Sequence, residues 1–176
     1  MKRKDVVGKA KRILRNNRRA GLVHYCMFLD FDGVINVFYQ PGTRKYEEMK
    51  RKPENEFSLA DSECIGRIDQ LLKDYPMDAV ISSSWRFGGL QSCIAYLQKG
   101  GFTQSQKVIG ITETDEFRPR ETEIADYLIA HPVYSGVLIL DDMPMPEWQN
   151  ELVQTHCFYG YDAVHDRYAR NILKKM

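Results

Sequence analysis

The chain has 176 residues, of which 43% are apolar and 28% are charged, so it is long enough for one globular domain with a substantial core and short for two. The formal net charge of +1 hides an asymmetry. Residues 1–20 hold nine Lys or Arg and one acid, which gives +8, whereas residues 21–176 hold sixteen bases and 23 acids, which gives −7. We therefore expect a basic arm or helix at 1–20 and a single acidic domain at 21–176.

The cysteines and the hydropathy pattern bear on the compartment. The four cysteines, Cys26, Cys64, Cys93 and Cys157, lie far apart and form no C-x-x-C pair, so no metal-binding or redox spacing is visible. No apolar run approaches the length of a membrane span, and the N-terminus lacks the apolar segment of a signal peptide. We expect a cytoplasmic protein with reduced thiols and no membrane span.

Residues 1–20 have the pattern of a basic amphipathic helix, because Val6, Ala10 and Leu14 fall on one stripe. Its basic face could contact nucleic-acid phosphates or an anionic membrane surface. The alternative is a solvated arm docked on the acidic domain. The arm contains no aromatic residue, so it carries no specific nucleic-acid signature.

The stretch 25–36, YCMFLDFDGVIN, is predicted to begin with a buried strand at Tyr25–Leu29, because a short apolar run ends at turn residues. Asp30 would close that strand and Asp32 would leave it on the same side. Gly33 allows a sharp turn and a close backbone approach. Two carboxylates this close repel unless a cation or a shared proton compensates. The alternative is a solvated strand end with ordinary turn formers.

Charged residues dominate residues 37–61, which we expect to form a long loop or small flap after the first strand.

A second buried strand, Ala79–Ile81, ends in Ser82, Ser83, Ser84, Trp85 and Arg86. Their hydroxyls and guanidinium could donate to an oxyanion, although serine clusters are also common in turns.

The other predicted elements continue an alternation of helices and strands. Helices are predicted at Ser62–Tyr75, Leu90–Lys99, Arg120–Ala130 and 162–174, and strands at Lys107–Gly110, Gly136–Leu140 and Leu152–Cys157. This order predicts an α/β, Rossmann-like parallel sheet of about five strands with helices on both faces.

Polar side chains follow three of the predicted strands: Asp30 and Asp32, then Ser82 to Ser84, then Asp141 and Asp142. Because the carboxyl ends of parallel strands share one edge, these groups should converge on one crevice. Four carboxylates there require a cation, and ligands that are all oxygen suggest Mg²⁺ beside a substrate phosphate. Arg120 stands at a helix N-terminus, a position that suits a cation if an anion binds there.

The same residues resemble the four motifs of the haloacid dehalogenase-like (HAD) phosphohydrolases, in order. FLDFDGVIN is similar to the first motif, VISSS to the second, Arg120-x-x-Glu123-Ile124 to the third and LILDD to the fourth. More narrowly, D-x-D-G-V-x-N, S-S-S-W-R, R-x-x-E-I and I-L-D-D together resemble the HAD domain of the Swiss Army Knife RNA repair proteins, over roughly residues 23–160. The ordered set is specific, whereas each motif alone is weak.

The sequence has no obvious large cap domain, so we expect a minimal cap, and the resemblance implies a role for each matching residue. Asp30 would be the nucleophile and Asp32 the general acid and base. Asp30, the Asp32 carbonyl, Asp141 and Asp142 would hold Mg²⁺. The phosphoryl group would be bound by Ser82 and Ser83 and by Arg120, which stands where the superfamily usually has Lys. Arg118 competes with Arg120 for that place, and Arg86 would bind substrate.

Together with the resemblance, these residues predict a Mg²⁺-dependent phosphatase with an aspartyl-phosphate intermediate. Its substrate would be RNA or DNA end phosphates or nucleotides, with a possible nucleic-acid contact through residues 1–20. Two alternatives are a phosphatase of small metabolites and a catalytically silent HAD-like module that binds RNA or protein. The sequence leaves the oligomeric state, the 5′ or 3′ end and the choice between RNA and DNA open.

Overall fold

The computed structural model describes residues 3–51, 59–113 and 118–176. Five parallel strands form one sheet in the order β3-β2-β1-β4-β5. The strands are β1 Tyr25–Leu29, β2 Met77–Ile81, β3 Val108–Ile111, β4 Gly136–Asp141 and β5 Leu152–Gln154. The helices are α1 Arg3–Arg19, α2 Arg44–Lys50, α3 Ser62–Asp74, α4 Leu90–Lys99, α5 Arg120–Ala130 and α6 Ala163–Leu173. The predicted α/β class is confirmed, with helices on both faces.

Alternation along the strands divides the core into two halves. On β1, Met27 and Leu29 point to the face covered by α3, α4 and α6, whereas Cys26 and Phe28 point to the face covered by α1 and α5. Both sets are buried, which is why the strand reads as a continuous apolar run.

The basic helix α1 is part of this core. Val6, Val7, Ala10 and Leu14 are buried against α5 and the sheet. At its end, Asn17 donates from Nδ2 to the carbonyl of Tyr134 at 2.7 Å. The amphipathic stripe therefore covers one face of the domain, and the basic residues remain on the outside.

Two strands differ from their predicted bounds by more than one residue. β2 begins at Met77, which pairs with Tyr25. The polar Asp78 interrupts the apolar run, so the sequence pattern did not reveal this start. Its carboxylate lies 3.0 Å from His24 Nε2 at the amino edge of the sheet. The predicted fifth strand Leu152–Cys157 is too long: its last ladder pair is Asp141 with Gln154.

The predicted flap at 37–61 contains one element that apolar periodicity did not reveal. Helix α2 buries no residue and is capped by Thr43, whose hydroxyl accepts from the Tyr46 amide at 3.3 Å. The two ends of the segment are joined where the Val37 amide donates to the Leu59 carbonyl at 3.0 Å. Residues 52–58 of this flap lie outside the described residues.

Within the described ranges, no helix combines the length and apolarity needed to cross a membrane.

Because α1 is packed into the core, we expect Leu14→Ala to lower the free energy of unfolding by about 2–4 kcal/mol, as for a buried leucine that leaves a cavity. Chemical denaturation monitored by circular dichroism measures this change. Lys9→Ala, on the exposed side of the same helix, is the control and should change it by less than about 0.5 kcal/mol. Equal stability of Leu14→Ala and the parent would contradict the packing and favour a loosely docked arm.

Candidate active site

The register of the central strands brings the predicted site residues together. Leu29 pairs with Ile81 on one side and with Leu140 on the other, so the residues that follow, Asp30, Ser82 and Asp141, stand side by side. The Asp30 amide donates to the Leu140 carbonyl at 3.0 Å, and the Ser82 amide donates to the Leu29 carbonyl at 3.0 Å. The polar groups therefore lie at the carboxyl ends of three neighbouring strands, beside the point at which the strand order reverses.

Arg120 closes this crevice from the first turn of α5. Its Nη1 donates to Asp30 Oδ2 and to Asp141 Oδ2, both at 2.7 Å. The second oxygen of each carboxylate is also held: Asp30 Oδ1 accepts from the Phe31 amide at 2.8 Å, and Asp141 Oδ1 accepts from the Met143 amide at 2.9 Å. The nucleophile candidate therefore has a single fixed orientation.

The site concentrates negative charge. Oxygens of Asp30, Asp141 and Asp142 lie within 4.8 Å of one another. Burial, together with the charge of Asp30, raises the pKa of Asp141 to about 6, although Arg120 opposes the shift. Burial and the same charge raise the pKa of Asp142. Burial lowers the pKa of Arg120, but Asp141 and Asp30 outweigh it and the net pKa is raised.

This charge pattern fits a divalent cation. The formal charges of three carboxylates and one guanidinium sum to −2, which a dication would offset. The donors are all carboxylate oxygens, the ligands that suit Mg²⁺. The cluster contains the side chains of Asp30, Asp141 and Asp142, whereas the predicted ligand atom of Asp32 is its carbonyl oxygen.

Gly33 is required by the close approach of two loops. Its φ of 73° lies in the left-handed region, and a Cβ atom there would come within 2.7 Å of Asp142 Cγ. Its carbonyl accepts from Thr155 Oγ1 at 2.7 Å. A side chain at this position would displace Asp142 from the cluster.

The serines at the end of β2 have different environments. Ser82 is fully buried, and its Oγ has no hydrogen-bond partner among the described residues. Buried hydroxyls are normally paired, so this one suits an additional acceptor or donor such as a phosphoryl oxygen. The Ser83 Oγ instead accepts from the Trp85 amide at 3.4 Å, where it caps the 3-10 turn of Ser84–Gly88. Its phosphate contact stays a prediction.

Asp32 is half-buried, and its hydrogen-bond partners differ from those of Asp30 and Asp141. Both of its carboxylate oxygens accept from Trp85 Nε1, at 3.1 and 3.0 Å, and Oδ1 also accepts from Asn36 Nδ2 at 2.8 Å. The two aspartates of the first motif therefore have separate partners.

The other two arginines are not brought to Asp30 in the same way. Arg86 is buried and donates from Nη2 to both oxygens of Glu123, at 3.0 and 2.9 Å, and from Nη1 to the carbonyls of Ser82 and Ser83. This network supports the carboxyl end of β2. Arg118 is exposed and pairs with Asp126 at 2.6 Å. Arg120, not Arg118, contacts Asp30.

Sequence reasoning missed three participants: Trp85, Asn36 and Glu123. Trp85 and Asn36 contact Asp32, and Glu123 anchors Arg86. All three lie inside the quoted motifs, which is a signal that they have a role. The contacts of Trp85 with Asp32 and of Glu123 with Arg86 join residues 53 and 37 positions apart and have no local pattern, whereas Asn36 and Asp32 are four positions apart.

The geometry of Arg86 leads to a test of its predicted substrate contact. Arg86→Ala removes one half of a buried ion pair, so we expect the free energy of unfolding to fall by about 3–5 kcal/mol. Arg118→Ala removes an exposed pair with the same chemistry and should cost no more than about 1 kcal/mol. Denaturant titration of both variants gives the comparison. An Arg86→Ala protein of unchanged stability but with a raised KM would favour substrate contact instead.

Comparison with known proteins agrees with this geometry. Residues 26–164 match the family described as the HAD domain in Swiss Army Knife RNA repair proteins. No curated protein and no solved structure matches the chain. The match covers the sheet, the carboxylate cluster, Arg120 and the Asp32 loop, and it agrees with the resemblance carried by the four motifs. The chain belongs to the family of HAD domains found in Swiss Army Knife RNA repair proteins.

Proposed function

We propose that this chain is a Mg²⁺-dependent phosphomonoesterase that acts through an aspartyl-phosphate on Asp30. The observation that carries the proposal is the buried Asp30 carboxylate, oriented by Arg120 and adjacent to the carboxylates of Asp141 and Asp142. A carboxylate that is oriented and lies next to a cluster suited to a cation is suited to attack on phosphorus.

The proposed reaction has two steps. A carboxylate oxygen of Asp30 forms a bond to phosphorus while the bond from phosphorus to the leaving oxygen breaks, and Asp32 gives its proton to that oxygen. Asp32 then takes a proton from a water molecule, whose oxygen bonds to phosphorus as the bond to Asp30 breaks. Inorganic phosphate leaves, and both aspartates return to their starting protonation states.

Arg120 and Ser82 are proposed to bind the phosphoryl group. A guanidinium close to Asp30 can stabilise the charge of the equatorial oxygens, and the buried Ser82 hydroxyl would gain a partner it otherwise lacks. Asp30, the Asp32 carbonyl and Asp141 would hold Mg²⁺, with Asp142 as a ligand or hydrogen-bonded to one. The ion would offset the repulsion between the carboxylates and the phosphate.

We propose nucleic-acid end phosphates, RNA in particular, as substrates. The matched family occurs in RNA repair proteins. In addition, exposed basic residues form a stripe along α1 that covers about a quarter of the helix circumference. This basic stripe consists of Lys4, Arg12, Arg15 and Arg19. Since Arg3 contacts Glu121, which adjoins Arg120, α1 starts near the site and extends towards the opposite edge of the sheet.

The basic side of α1 also borders a groove of about 410 Å³ between α1 and α6. Lys11, Arg15, Arg18 and Lys175 line it together with one acid, Glu151. Such a surface favours phosphates through charge, without reading a base sequence.

The catalytic proposal is tested by measuring phosphate release from p-nitrophenyl phosphate and from 5′- and 3′-phosphorylated RNA and DNA oligomers with and without Mg²⁺. Asp30→Asn should lower the rate at least about a thousandfold, because an amide is not a nucleophile here. Asp74→Asn, which alters an exposed ion pair with Arg170, is the matched control and should keep the parent rate.

Metal binding is measured separately by the shift of the thermal transition with Mg²⁺, which Asp141→Asn should reduce. Release that needs neither Mg²⁺ nor Asp30 would contradict the mechanism. A folded, Mg²⁺-binding protein that releases phosphate from none of these substrates would favour a specific small metabolite or a silent binding module.

For the substrate proposal, we expect the triple change Arg12→Gln, Arg15→Gln and Arg19→Gln to lower kcat/KM for a phosphorylated RNA oligomer relative to that for p-nitrophenyl phosphate. Each lost phosphate contact should also reduce the slope of log kcat/KM against log salt concentration by about one. Steady-state assays over a series of salt concentrations measure both effects.

The matched control removes three exposed lysines elsewhere, through Lys50→Gln, Lys99→Gln and Lys174→Gln, and so changes the net charge equally. If both triple variants lose the same amount, the effect is one of overall charge. If neither changes the ratio of substrates, the basic stripe does not bind RNA.

A further inference from the structure

We propose that Trp85 and Asn36 are positioning residues for the proton transfer of Asp32, and that Asp32 Oδ2 is the oxygen that carries the proton. The inference rests on the proposed phosphatase function. Neither the family description nor the motif pattern assigns a part in this proton transfer to Trp85 or Asn36.

Three hydrogen bonds from two side chains fix the Asp32 carboxylate. Trp85 Nε1 lies 3.1 Å from Oδ1 and 3.0 Å from Oδ2, so the indole N–H faces the edge of the carboxylate. Asn36 Nδ2 lies 2.8 Å from Oδ1. An indole nitrogen is a donor only, and an amide nitrogen is also a donor, so neither can accept a proton from Asp32.

These donors distinguish the two oxygens. Among the described residues, Oδ1 accepts from both Asn36 and Trp85, whereas Oδ2 shares only the indole N–H. An oxygen that already accepts two donors is the poorer place for a hydroxyl hydrogen. Oδ2 is therefore the oxygen left to carry the proton to the leaving group and to receive it from water.

The donors are themselves held in place. Asn36 is fully buried, its Oδ1 accepts from Tyr96 Oη at 2.7 Å, and its carbonyl accepts from the Gly33 amide at 3.0 Å. The amide orientation is thus determined, with oxygen towards Tyr96 and nitrogen towards Asp32. This arrangement connects α4 to the loop of the first motif.

Aromatic stacking holds the indole. The ring centroids of Trp85 and Tyr96 are 4.6 Å apart, and those of Tyr96 and Phe31 are 5.7 Å apart at an interplanar angle of 24°. Trp85 nevertheless keeps 39% of its surface exposed. A tryptophan placed only for packing would bury its ring more fully, whereas this one directs its polar edge at a proposed acid–base group.

Leaving groups of different basicity separate positioning from packing. An alkyl phosphate such as 2-phenylethyl phosphate needs a proton on its leaving oxygen, whereas p-nitrophenolate is stable as an anion. The quantity to measure is kcat/KM for each, because it reports the steps up to the first irreversible transfer. A defect in proton donation lowers the alkyl rate more than the aryl rate, and a general structural defect lowers both alike.

We expect Trp85→Phe, which keeps an aromatic ring and removes the N–H, to lower the ratio of alkyl to p-nitrophenyl kcat/KM by about tenfold, part of the 10²–10⁴ that acid–base catalysis contributes. Tyr96→Phe, which removes only the hydroxyl that orients Asn36, should lower the ratio in the same direction by a smaller factor. If Trp85→Phe does not fold, Tyr96→Phe tests the inference in its place.

Two controls match these variants. Trp148→Phe makes the same substitution at a buried tryptophan that donates to the Glu121 carbonyl, and Phe87→Leu alters an exposed aromatic in the same 3-10 turn as Trp85. Both should leave the ratio as in the parent. If folded Trp85→Phe and Tyr96→Phe both keep the parent ratio, the inference is wrong, but the proposed function is not affected. Failure of the parent protein to hydrolyse either phosphate would overturn the proposed function and the inference with it.

Discussion

The mutual repulsion of three carboxylates at one edge of the sheet is the constraint on which the rest of the site depends. Asp30, Asp141 and Asp142 are brought within 4.8 Å, two of them at buried strand ends. Arg120 reaches both Asp30 and Asp141 with the same nitrogen and offsets part of this charge. The remainder favours a dication. A close cluster of this kind is tolerated in a folded protein only with such compensation.

Several elements of the fold position the groups around this charged cluster. The parallel register places Asp30, Ser82 and Asp141 in a row, and α5 begins where its first residue can reach two of the strand ends. The buried pair of Arg86 and Glu123 then ties the β2 end to the same helix. Helix α1 covers α5 from outside. This layer packs around α5, whose first residue, Arg120, contacts Asp30, the proposed nucleophile.

The two aspartates of the first motif illustrate how environment separates chemical roles. Asp30 is buried and contacts a guanidinium and a backbone amide. Asp32, two residues later, is half-buried and contacts an indole and a side-chain amide. Contact with a cation suits the proposed nucleophile, whereas neutral donors suit the proposed acid–base group. The same residue type thus receives two environments within one short loop.

The sequence by itself determined the alternation of strands and helices, and the approximate bounds of most of them, because local apolar periodicity and turn residues encode these features. It also determined the identity of the polar strand ends, since the apolar runs of strands that are buried on both faces end abruptly at Asp30, Ser82 and Asp141. The short helix α2 buries nothing, so it had no periodic signal.

Only the tertiary structure decided which partner each of these groups has. Arg118 and Arg120 are near neighbours in sequence with the same charge, yet one pairs with Asp126 at the surface and the other reaches Asp30. Arg86 pairs with Glu123, and Trp85 with Asp32, across 37 and 53 positions of the chain. Contacts of this range depend on strand register and helix packing, which join distant segments and leave no periodic trace in the sequence.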